Sequence, residues 1–294
     1  MSKKIALVDT GEMYDIVRMT TVKQAEVQEK YKKKRREKLE FNEELVGQYG
    51  YFYFLRYDKV IELLRDDTAT AFRYLYLCTF GDRNGNIISF DQHKCSTYED
   101  FTYIFEKTKD TVKHYLAPMI SKKMIYKDGG YYKINSMYYM NTLDDDETKR
   151  NSIRTFKDAV KILYRNSDVR EHSLMGQLIK FTPYINIQKN ILCFNIDCNN
   201  KDEILPLSKN DIANILKPNS KYGYDLLNKL LNSYCKSEPI MGVFESGAEE
   251  HYIINQRLFY RGSNTNDLLY LVEAFDIAKA QHKRKTQTRR MKKC

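Results

Sequence analysis

No stretch of this 294-residue chain stays apolar over the roughly 20 residues that a membrane-spanning helix needs. The N-terminus turns acidic at Asp9, which is too early for a secretory signal peptide. The cysteines lack the spacing of a disulfide framework, which fits a reduced cytosolic compartment. They are Cys78, Cys95, Cys193, Cys198, Cys235 and Cys294. These absences predict a cytoplasmic protein that makes no use of a membrane.

The chain also lacks the motifs of enzymes that act on DNA. No Gly-x-x-x-x-Gly-Lys phosphate loop is present, which argues against an ATP-driven helicase. The five histidines are isolated, with no His-x-His pair to hold the metal of a rolling-circle nickase. Cys193 and Cys198 have no second pair to complete a zinc shell. His93 and Cys95 are the remaining candidates, and buried reduced thiols are the interpretation we favour. We therefore expect no catalysis, no metal and no cofactor.

Positive charge is present and is concentrated in two short arms. The net charge is +10, of which residues 30–38 carry +6 and residues 283–293 carry +7, so the rest of the chain is at −3. Such basic arms are typical of nucleic-acid contacts, and a solvated helix face with an unstructured tail is the alternative. The residues expected to contact phosphate are Lys33, Lys34, Arg35, Arg36, Arg289 and Arg290.

The most informative feature that is present is an internal repeat. Residues 67–140 and 171–260 run through the same order of predicted elements: helix, short apolar strand, capped helix, second helix and strand–turn–strand. Both copies end on nearly the same sequence, Tyr-Lys-Ile-Asn at 132–135 and Tyr-Ile-Ile-Asn at 252–255. This order is typical of a winged helix-turn-helix. The sequence predicts an α+β fold with tandem winged helix-turn-helix domains.

Four segments follow from this pattern. They are an N-terminal hairpin with a basic helical arm (1–50), a first winged-helix domain (51–145), a second one (152–262) and a C-terminal helix with a basic tail (263–294). The hairpin is expected over 4–17, the basic helix over 22–45 and a further helix over 152–164. The C-terminal helix carries an apolar stripe that either packs on its own domain or forms a homodimer contact. The stripe is Leu268, Leu271, Val272, Phe275 and Ala278.

The first helix pair has a predicted cap and a predicted DNA-reading face. Ser96-Thr-Tyr-Glu99 is a capping-box pattern, and the helix at 109–121 places an apolar stripe on one side although Pro118 interrupts it. A recognition helix presents its N-terminal residues to base edges in the major groove. The candidates are Lys109, Thr111, Lys113 and His114, of which Lys113 suits guanine. Asp128-Gly-Gly130 predicts the turn of a wing hairpin.

The second copy follows the first at a distance of about 111 residues. Ser208 is expected to cap its first helix, and residues 220–232 to form the second. Its candidate DNA-facing residues are Ser220, Lys221, Tyr222, Tyr224 and Lys229. The predicted hairpin at 241–255 carries Glu249 and Glu250, which DNA phosphate would repel. A protein-facing second wing is therefore the alternative to a DNA-facing one.

The second copy resembles the winged-helix replication proteins of small Firmicutes plasmids and related phage proteins. The matching residues are Ile254-Asn-Gln-Arg-Leu-Phe-Tyr-Arg-Gly262, followed by the apolar run 268–275. The N-terminal Leu7-Val-Asp-Thr-Gly-Glu-Met13 is similar to the start of those proteins. Gln256 stands where the family has proline, and the duplication departs from its single module. The resemblance covers mainly residues 160–280 and implies origin-specific replication initiation.

The function expected from the sequence is non-catalytic, sequence-specific binding of double-stranded DNA. Replication initiation at a plasmid or phage origin is implied by the resemblance. A transcriptional regulator of a phage or mobile element is the alternative that winged helices commonly serve. A second alternative is an adaptor that binds a host replication or transcription protein.

Overall fold

The computed structural model describes residues 4–6, 13–15, 22–143, 146–200, 203–235, 238–246, 249–262 and Phe275. The fold is mixed α+β with small antiparallel sheets. The chain divides into two units, Met1–Glu44 and Leu45–Cys294.

The first unit holds the two strands of the predicted N-terminal hairpin. Strands β1 (Lys4–Ala6) and β2 (Met13–Asp15) pair antiparallel, with Lys4 opposite Asp15. The turn between them lies outside the described residues. Helix α1 (Val22–Tyr49) follows, begins in this unit and runs four residues past the predicted end. Its segment 26–37 is exposed throughout, as expected for a chain of mostly charged side chains.

The second unit contains two halves that repeat one order of elements. The first half has β3 (Phe52–Arg56), α2 (Tyr57–Leu64), α3 (Thr68–Cys78), α4 (Tyr98–Phe105), α5 (Lys109–Ser121), β4 (Ile125–Asp128), β5 (Tyr131–Ile134) and β6 (Tyr139–Met140). A short helix, α6 (Asp146–Arg150), precedes the second half.

The second half opens with β7 (Ser152–Phe156) and α7 (Lys157–Asn166), and the first helix of its repeat is divided. A 3-10 turn (Val169–Glu171) leads to α8 (His172–Gly176), which continues as a 3-10 segment (Gln177–Tyr184). Then come α9 (Lys209–Leu216), α10 (Tyr222–Leu231), β8 (Tyr234–Cys235), β9 (Glu238–Pro239), β10 (Met241–Ser246), β11 (Glu249–Ile254) and β12 (Phe259–Tyr260).

The predicted helix over 152–164 is wrong in its first third. Residues 152–156 are fully buried and form β7, because their backbone pairs along its whole length with β3. The helix begins only at Lys157. Helical spacing along the chain cannot reveal a partner strand about 100 residues away, so tertiary pairing overrides the local pattern.

A four-stranded sheet joins the halves and carries a local two-fold symmetry. Its order is β12-β7-β3-β6, with every pair antiparallel. The central pair places Phe54, the third residue of β3, opposite Arg154, the third residue of β7. Phe52 faces Phe156 and Arg56 faces Ser152, so the first residue of each strand meets the last residue of the other.

The outer strands repeat the same relation. In the first half Phe54 pairs with Met140, and in the second half Arg154 pairs with Tyr260. The turn before each outer strand is built alike, because Asn135 donates to the Lys123 carbonyl and Asn255 to the Pro239 carbonyl, both at 2.9 Å. The internal repeat is therefore expressed as a pseudo-dimer within one polypeptide.

The cores of the two halves are interleaved. Helix α7 of the second half packs on α3 of the first, and α2 of the first half packs on the 3-10 segment 177–184 of the second. The rings of Tyr76 and Tyr164 stack with centroids 3.7 Å apart and an interplanar angle of 4°. A side chain at Gly176 would collide with the Thr68 backbone, since its Cβ would lie 1.7 Å from that carbonyl oxygen. Each half thus completes the core of the other.

Most of the predicted C-terminal helix lies outside the described residues, including Leu268, Leu271, Val272 and Ala278. Phe275 is described, and it is helical and buried. It belongs to an apolar cluster with Ile191 and Ile253, against which Phe244 also packs. This residue of the stripe therefore packs on its own chain.

Candidate nucleic-acid interface

The first half presents a helix pair joined by a three-residue turn. Helix α4 ends at Glu106, which adopts a left-handed conformation with φ of 52°, and α5 begins after the N-cap Thr108. The predicted capping box is one residue out of register, because the N-cap is Thr97 rather than Ser96. The Asp100 carboxylate accepts from the amides of both Ser96 and Thr97, at 2.7 and 2.9 Å.

The predicted contact residues of α5 lie on its solvent side. Lys109, Lys113 and His114 are exposed, and Thr111 is half-buried beside the Thr108 hydroxyl at 3.0 Å. Both lysines are paired, Lys109 with Glu99 at 2.8 Å and Lys113 with Asp110 at 3.0 Å. The opposite face is buried at the predicted Val112, Tyr115, Leu116 and Met119. The helix runs through Pro118 to Ser121 without a break.

The hairpin after α5 stands where the sequence predicts it. Strands β4 and β5 pair from Ile125–Ile134 to Asp128–Tyr131, and Gly129 and Gly130 take φ of 57° and 85° at the turn. Positive φ at both turn residues is the geometry that glycine adopts without strain. Lys127 bonds the Ser96 carbonyl at 2.7 Å and thereby ties the hairpin to the start of α4.

The second helix pair is built as predicted at its cap. Ser208 accepts from the Asp211 amide at 3.2 Å, and the Asp211 carboxylate accepts from the Ser208 amide at 2.9 Å. A turn over 217–221 leads into α10, which crosses α9 closely at Gly223. A Cβ at Gly223 would lie 2.1 Å from the Ala213 carbonyl oxygen. Glycine is therefore required for this helix crossing.

The candidates of the second copy are on the surface of α10 and the turn before it. Lys221, Tyr222, Tyr224 and Lys229 are exposed, and Ser220 is half-buried. Tyr222 has 62% of its surface accessible, whereas Tyr224 donates a hydrogen bond to the Asn210 amide oxygen at 2.8 Å. All five residues are thus at least partly accessible on α10 and the turn before it, and Tyr222 and Lys229 line a common groove.

The second hairpin is formed by β10 and β11, and its turn lies outside the described residues. Glu250 is exposed and accepts from the Tyr252 hydroxyl at 2.6 Å. The rings of Phe244 and His251 stack across the strands at 5.1 Å. This hairpin carries acidic and aromatic side chains, whereas the first hairpin carries Lys127 and Lys133.

The two basic arms differ in what the structure describes. Lys33, Lys34, Arg35 and Arg36 are exposed on α1, and Lys33 lies 4.0 Å from Glu37. Arg289 and Arg290 lie outside the described residues.

Arg261 of the Arg-Gly phrase is an internal clamp, a role that the sequence did not reveal. Its guanidinium is buried and donates to the Tyr57 hydroxyl at 2.9 Å, to the Ile185 carbonyl at 3.3 Å and to the Arg150 carbonyl. It thus connects the first half, the linker and the second half. No local pattern around Arg261 distinguishes this role from a surface contact.

Ser89, His93 and Asp100 form a hydrogen-bonded chain that sequence reasoning also missed. Ser89 Oγ lies 2.9 Å from His93 Nδ1, and His93 Nε2 lies 3.1 Å from Asp100 Oδ1. Ser89 is buried, and Asp100 is the capping acceptor of α4. Although partial burial opposes its ionisation, the Thr97 and Ser96 amides hold the pKa of Asp100 at about 2. The chain of contacts fixes the start of α4.

Comparison of this chain with protein-family models, with curated proteins and with solved structures finds no match. Within the described ranges no helix has the length and apolarity to cross a membrane. The same ranges contain no cluster of three or more His, Cys, Asp or Glu side chains suited to a metal ion.

Proposed function

We propose that this protein binds double-stranded DNA sequence-specifically, without catalysis, through two winged helix-turn-helix units held in a two-fold arrangement. The observation that carries the proposal is the symmetric register of β3 and β7, with Phe54 opposite Arg154 at the centre. Each half contributes a helix pair, a hairpin and a short extended segment whose backbone bonds to that hairpin. In the first half the Ile87 amide donates to the Tyr132 carbonyl, and in the second half the Leu192 amide donates to the Tyr252 carbonyl. This element order is that of a winged helix.

Two-fold symmetry in the protein matches the symmetry of duplex DNA. Helix-turn-helix dimers read two inverted half-sites whose centres lie about 34–36 Å apart, because the recognition helices then enter successive major grooves on one side of the duplex. Here one chain supplies both recognition helices, α5 and α10. The halves differ in sequence, so we expect an imperfect inverted repeat rather than a palindrome.

The surface ion pairs of α5 leave its lysines available to DNA. An exposed pair such as Lys113–Asp110 contributes little to stability, and a phosphate or a guanine edge offers a comparable or better partner. On binding, Lys109 and Lys113 would leave their carboxylate partners and contact the DNA instead. The basic arms at 30–38 and 283–293 would add phosphate contacts that carry no sequence information.

The biological task that we propose is replication initiation at a plasmid or phage origin, on the basis of the sequence resemblance. Transcriptional regulation in a phage or mobile element uses the same DNA-binding surface and remains the alternative. The acidic second hairpin favours one further candidate, an adaptor whose second half binds a host replication or transcription protein. In that case α10 and Glu250 would face protein instead of DNA.

Selection of bound sequences from random duplex DNA tests the proposal. We expect an enriched motif with two inverted half-sites about one helical turn apart. Enrichment of a single half-site would support the adaptor, and directly repeated half-sites would contradict the two-fold arrangement. No enrichment and no binding would overturn the function.

A variant pair then tests the recognition helix. Lys113→Ala should weaken binding to the selected site by about 1–3 kcal/mol and should affect a scrambled duplex less. Lys59→Ala is the matched control, because Lys59 also pairs with a carboxylate three residues away on its own helix, Glu62 at 3.7 Å, but lies on α2. Equal losses on both duplexes would make Lys113 a phosphate contact rather than a base reader.

A further inference from the structure

A groove of about 990 Å³ lies between the two halves, beside α10. The first half lines it with Arg65 and Asp66, which connect α2 to α3, and with Thr68 at the start of α3. The second half contributes the end of α9, the turn before α10 and one flank of α10. Its charged residues are Arg65, Lys180, Lys217 and Lys229, with Asp66 and Asp225.

The local two-fold symmetry gives this groove a counterpart in the other half. A smaller groove of about 360 Å³ is lined by Arg165 and Asn166 at the end of α7, by Asp168 just after it, and by Glu106 and Lys107 of the turn between α4 and α5. Arg165 corresponds to Arg65, since each ends the helix that follows the first strand of its half. Likewise Glu106 and Lys217 each follow the first helix of a helix pair.

The two grooves carry opposite charges at this matched position. In the smaller groove Arg165 lies 3.9 Å from Glu106, and the charges of its lining residues Arg165, Lys107, Glu106 and Asp168 cancel, whereas the lining of the larger groove is at +2. In the larger groove the residue that corresponds to Glu106 is Lys217, which cannot pair with Arg65. Among the described residues, no carboxylate lies within 4.0 Å of the side-chain nitrogens of Arg65, Lys217 or Lys229.

Lys180 adds a cation at the inner wall of the larger groove. Its ammonium donates to the Leu216 carbonyl at 3.1 Å, which fixes it against the end of α9. Burial lowers its pKa, and the positive charges of Arg65 and Lys217 act in the same direction, opposed by Asp66. A bound anion would relieve the repulsion among these cations.

We propose that the larger groove binds a segment of the DNA backbone at the point where the DNA strand leaves α10. Arg65 of the first half would then contact a phosphate of the half-site that the second half reads. This inference rests on the proposed function. The groove includes Tyr222 and Lys229 of the DNA-facing set and the turn before α10, and backbone phosphates beside a recognition helix are bound by such flanking cations. The smaller groove makes no equivalent contact, and the two half-sites are held unequally.

A charge exchange between the grooves tests this directly. Lys217→Glu supplies the carboxylate that the larger groove lacks, and Glu106→Lys removes the one in the smaller groove. The double variant leaves the net charge unchanged and transfers the cationic groove from one half to the other. Arg65→Gln and Lys217→Gln remove a single charge without adding one, and urea unfolding confirms that each variant is folded.

The measurements are the salt dependence of binding to the selected duplex and phosphate-ethylation interference on the same duplex. For Lys217→Glu we expect the slope of log K against log salt to fall by about 0.9 for each phosphate that the variant no longer neutralises. In Lys217→Glu, ethylation of the backbone phosphates should no longer interfere with binding at the half-site read by the second half, and should still interfere at the other half-site. In the double variant, new ethylation interference should appear at the half-site read by the first half.

Two outcomes would overturn the inference and are separable from failure of the proposed function. If the wild type binds the selected duplex and Lys217→Glu, Arg65→Gln and Lys217→Gln leave its slope and interference pattern unchanged, the groove does not hold DNA. An equal loss at both half-sites would make these residues general electrostatic contributors. If the wild type binds no duplex DNA, the proposed function fails first and this inference fails with it.

Discussion

Phe54 and Arg154 lie directly opposite each other in the antiparallel pair β3–β7, and each is the third residue of the strand that opens its half. The Arg154 guanidinium is buried, donates to the Gly262 carbonyl and lies 5.2 Å from the centre of the Phe54 ring. Burial lowers its pKa to about 10. The local two-fold axis of the sheet therefore passes through a packed interior.

Removing the Tyr164 ring should destabilise both halves together. Tyr164 comes from the second half, is buried and stacks on Tyr76 of the first half. We expect Tyr164→Ala to lower the free energy of unfolding by about 3–5 kcal/mol, as for other large aromatic deletions in cores. Urea unfolding followed by circular dichroism measures it, and Tyr103→Ala, which removes an exposed ring, should change stability by less than about 0.5 kcal/mol.

The interleaved core also predicts the behaviour of a fragment. Residues 51–145, which the sequence indicates as a first domain, lack α7 and should not unfold cooperatively on their own. A cooperative transition in this fragment would show that the first half folds without Tyr164.

A methyl group at Gly223 should disrupt the second helix pair. The Cβ of Gly223→Ala would lie 2.1 Å from the Ala213 carbonyl oxygen, so α9 and α10 must separate. We expect a loss of about 1–3 kcal/mol, typical of overpacking. The matched control is Gly47→Ala in α1, where the new Cβ meets no described atom within 4 Å beyond its chain neighbours and the backbone of its own helix, and the higher helix propensity of alanine should stabilise the helix. Equal effects in the two variants would contradict the tight crossing.

A charge at Phe275 should reduce folding stability rather than only separate a dimer. Phe275 is buried against Ile191 and Ile253 of its own chain. We expect Phe275→Asp to lower the urea midpoint, because the carboxylate would lose its hydration in an apolar cluster. Light scattering on the same samples decides between the two interpretations of the stripe. A dimeric wild type that becomes a fully stable monomer in the variant would establish a homodimer contact instead.

His172 should make the protein less stable in mild acid. Burial, with Arg73 and Lys107 nearby, lowers its pKa to about 4 from an ordinary value of 6.5. Between these two values the unfolded chain binds more protons than the folded one. The contribution of His172 is therefore complete above pH 6.5 and is lost as the pH falls toward 4, by at most about 1.4 kcal/mol per pH unit.

The matched variants for this test are His172→Phe and His114→Gln. His172→Phe keeps a ring in the core and should flatten the pH dependence of the unfolding free energy between pH 6.5 and 4. His114→Gln, which alters an exposed histidine of α5, is the control for the loss of one histidine. If His172→Phe keeps the same pH dependence of the unfolding free energy, other titrating groups cause that dependence.

Local features of the molecule could be predicted from the sequence. The apolar spacing of 109–121 predicts the buried face of α5, and Ser208 and Asp211 predict the cap of α9. Both signals depend only on residues within one or two helical turns of each other. The double glycine gave the first hairpin turn in the same way. The capping box of α4 was misplaced by one residue, since Ser96 and Thr97 are chemically alike and only the reach of Asp100 decides between them.

The sequence by itself determined that this chain repeats a helix, helix and hairpin unit twice, because periodicity, caps and turn residues act over short distances. Only the tertiary structure decided that the central strands of the two copies pair with local two-fold symmetry and that the copies share one core. The strand identity of 152–156, the buried clamp at Arg261 and the different charges of the two grooves all depend on partners many residues away. Such pairings are selected by packing and burial over the whole chain, and no local pattern encodes them.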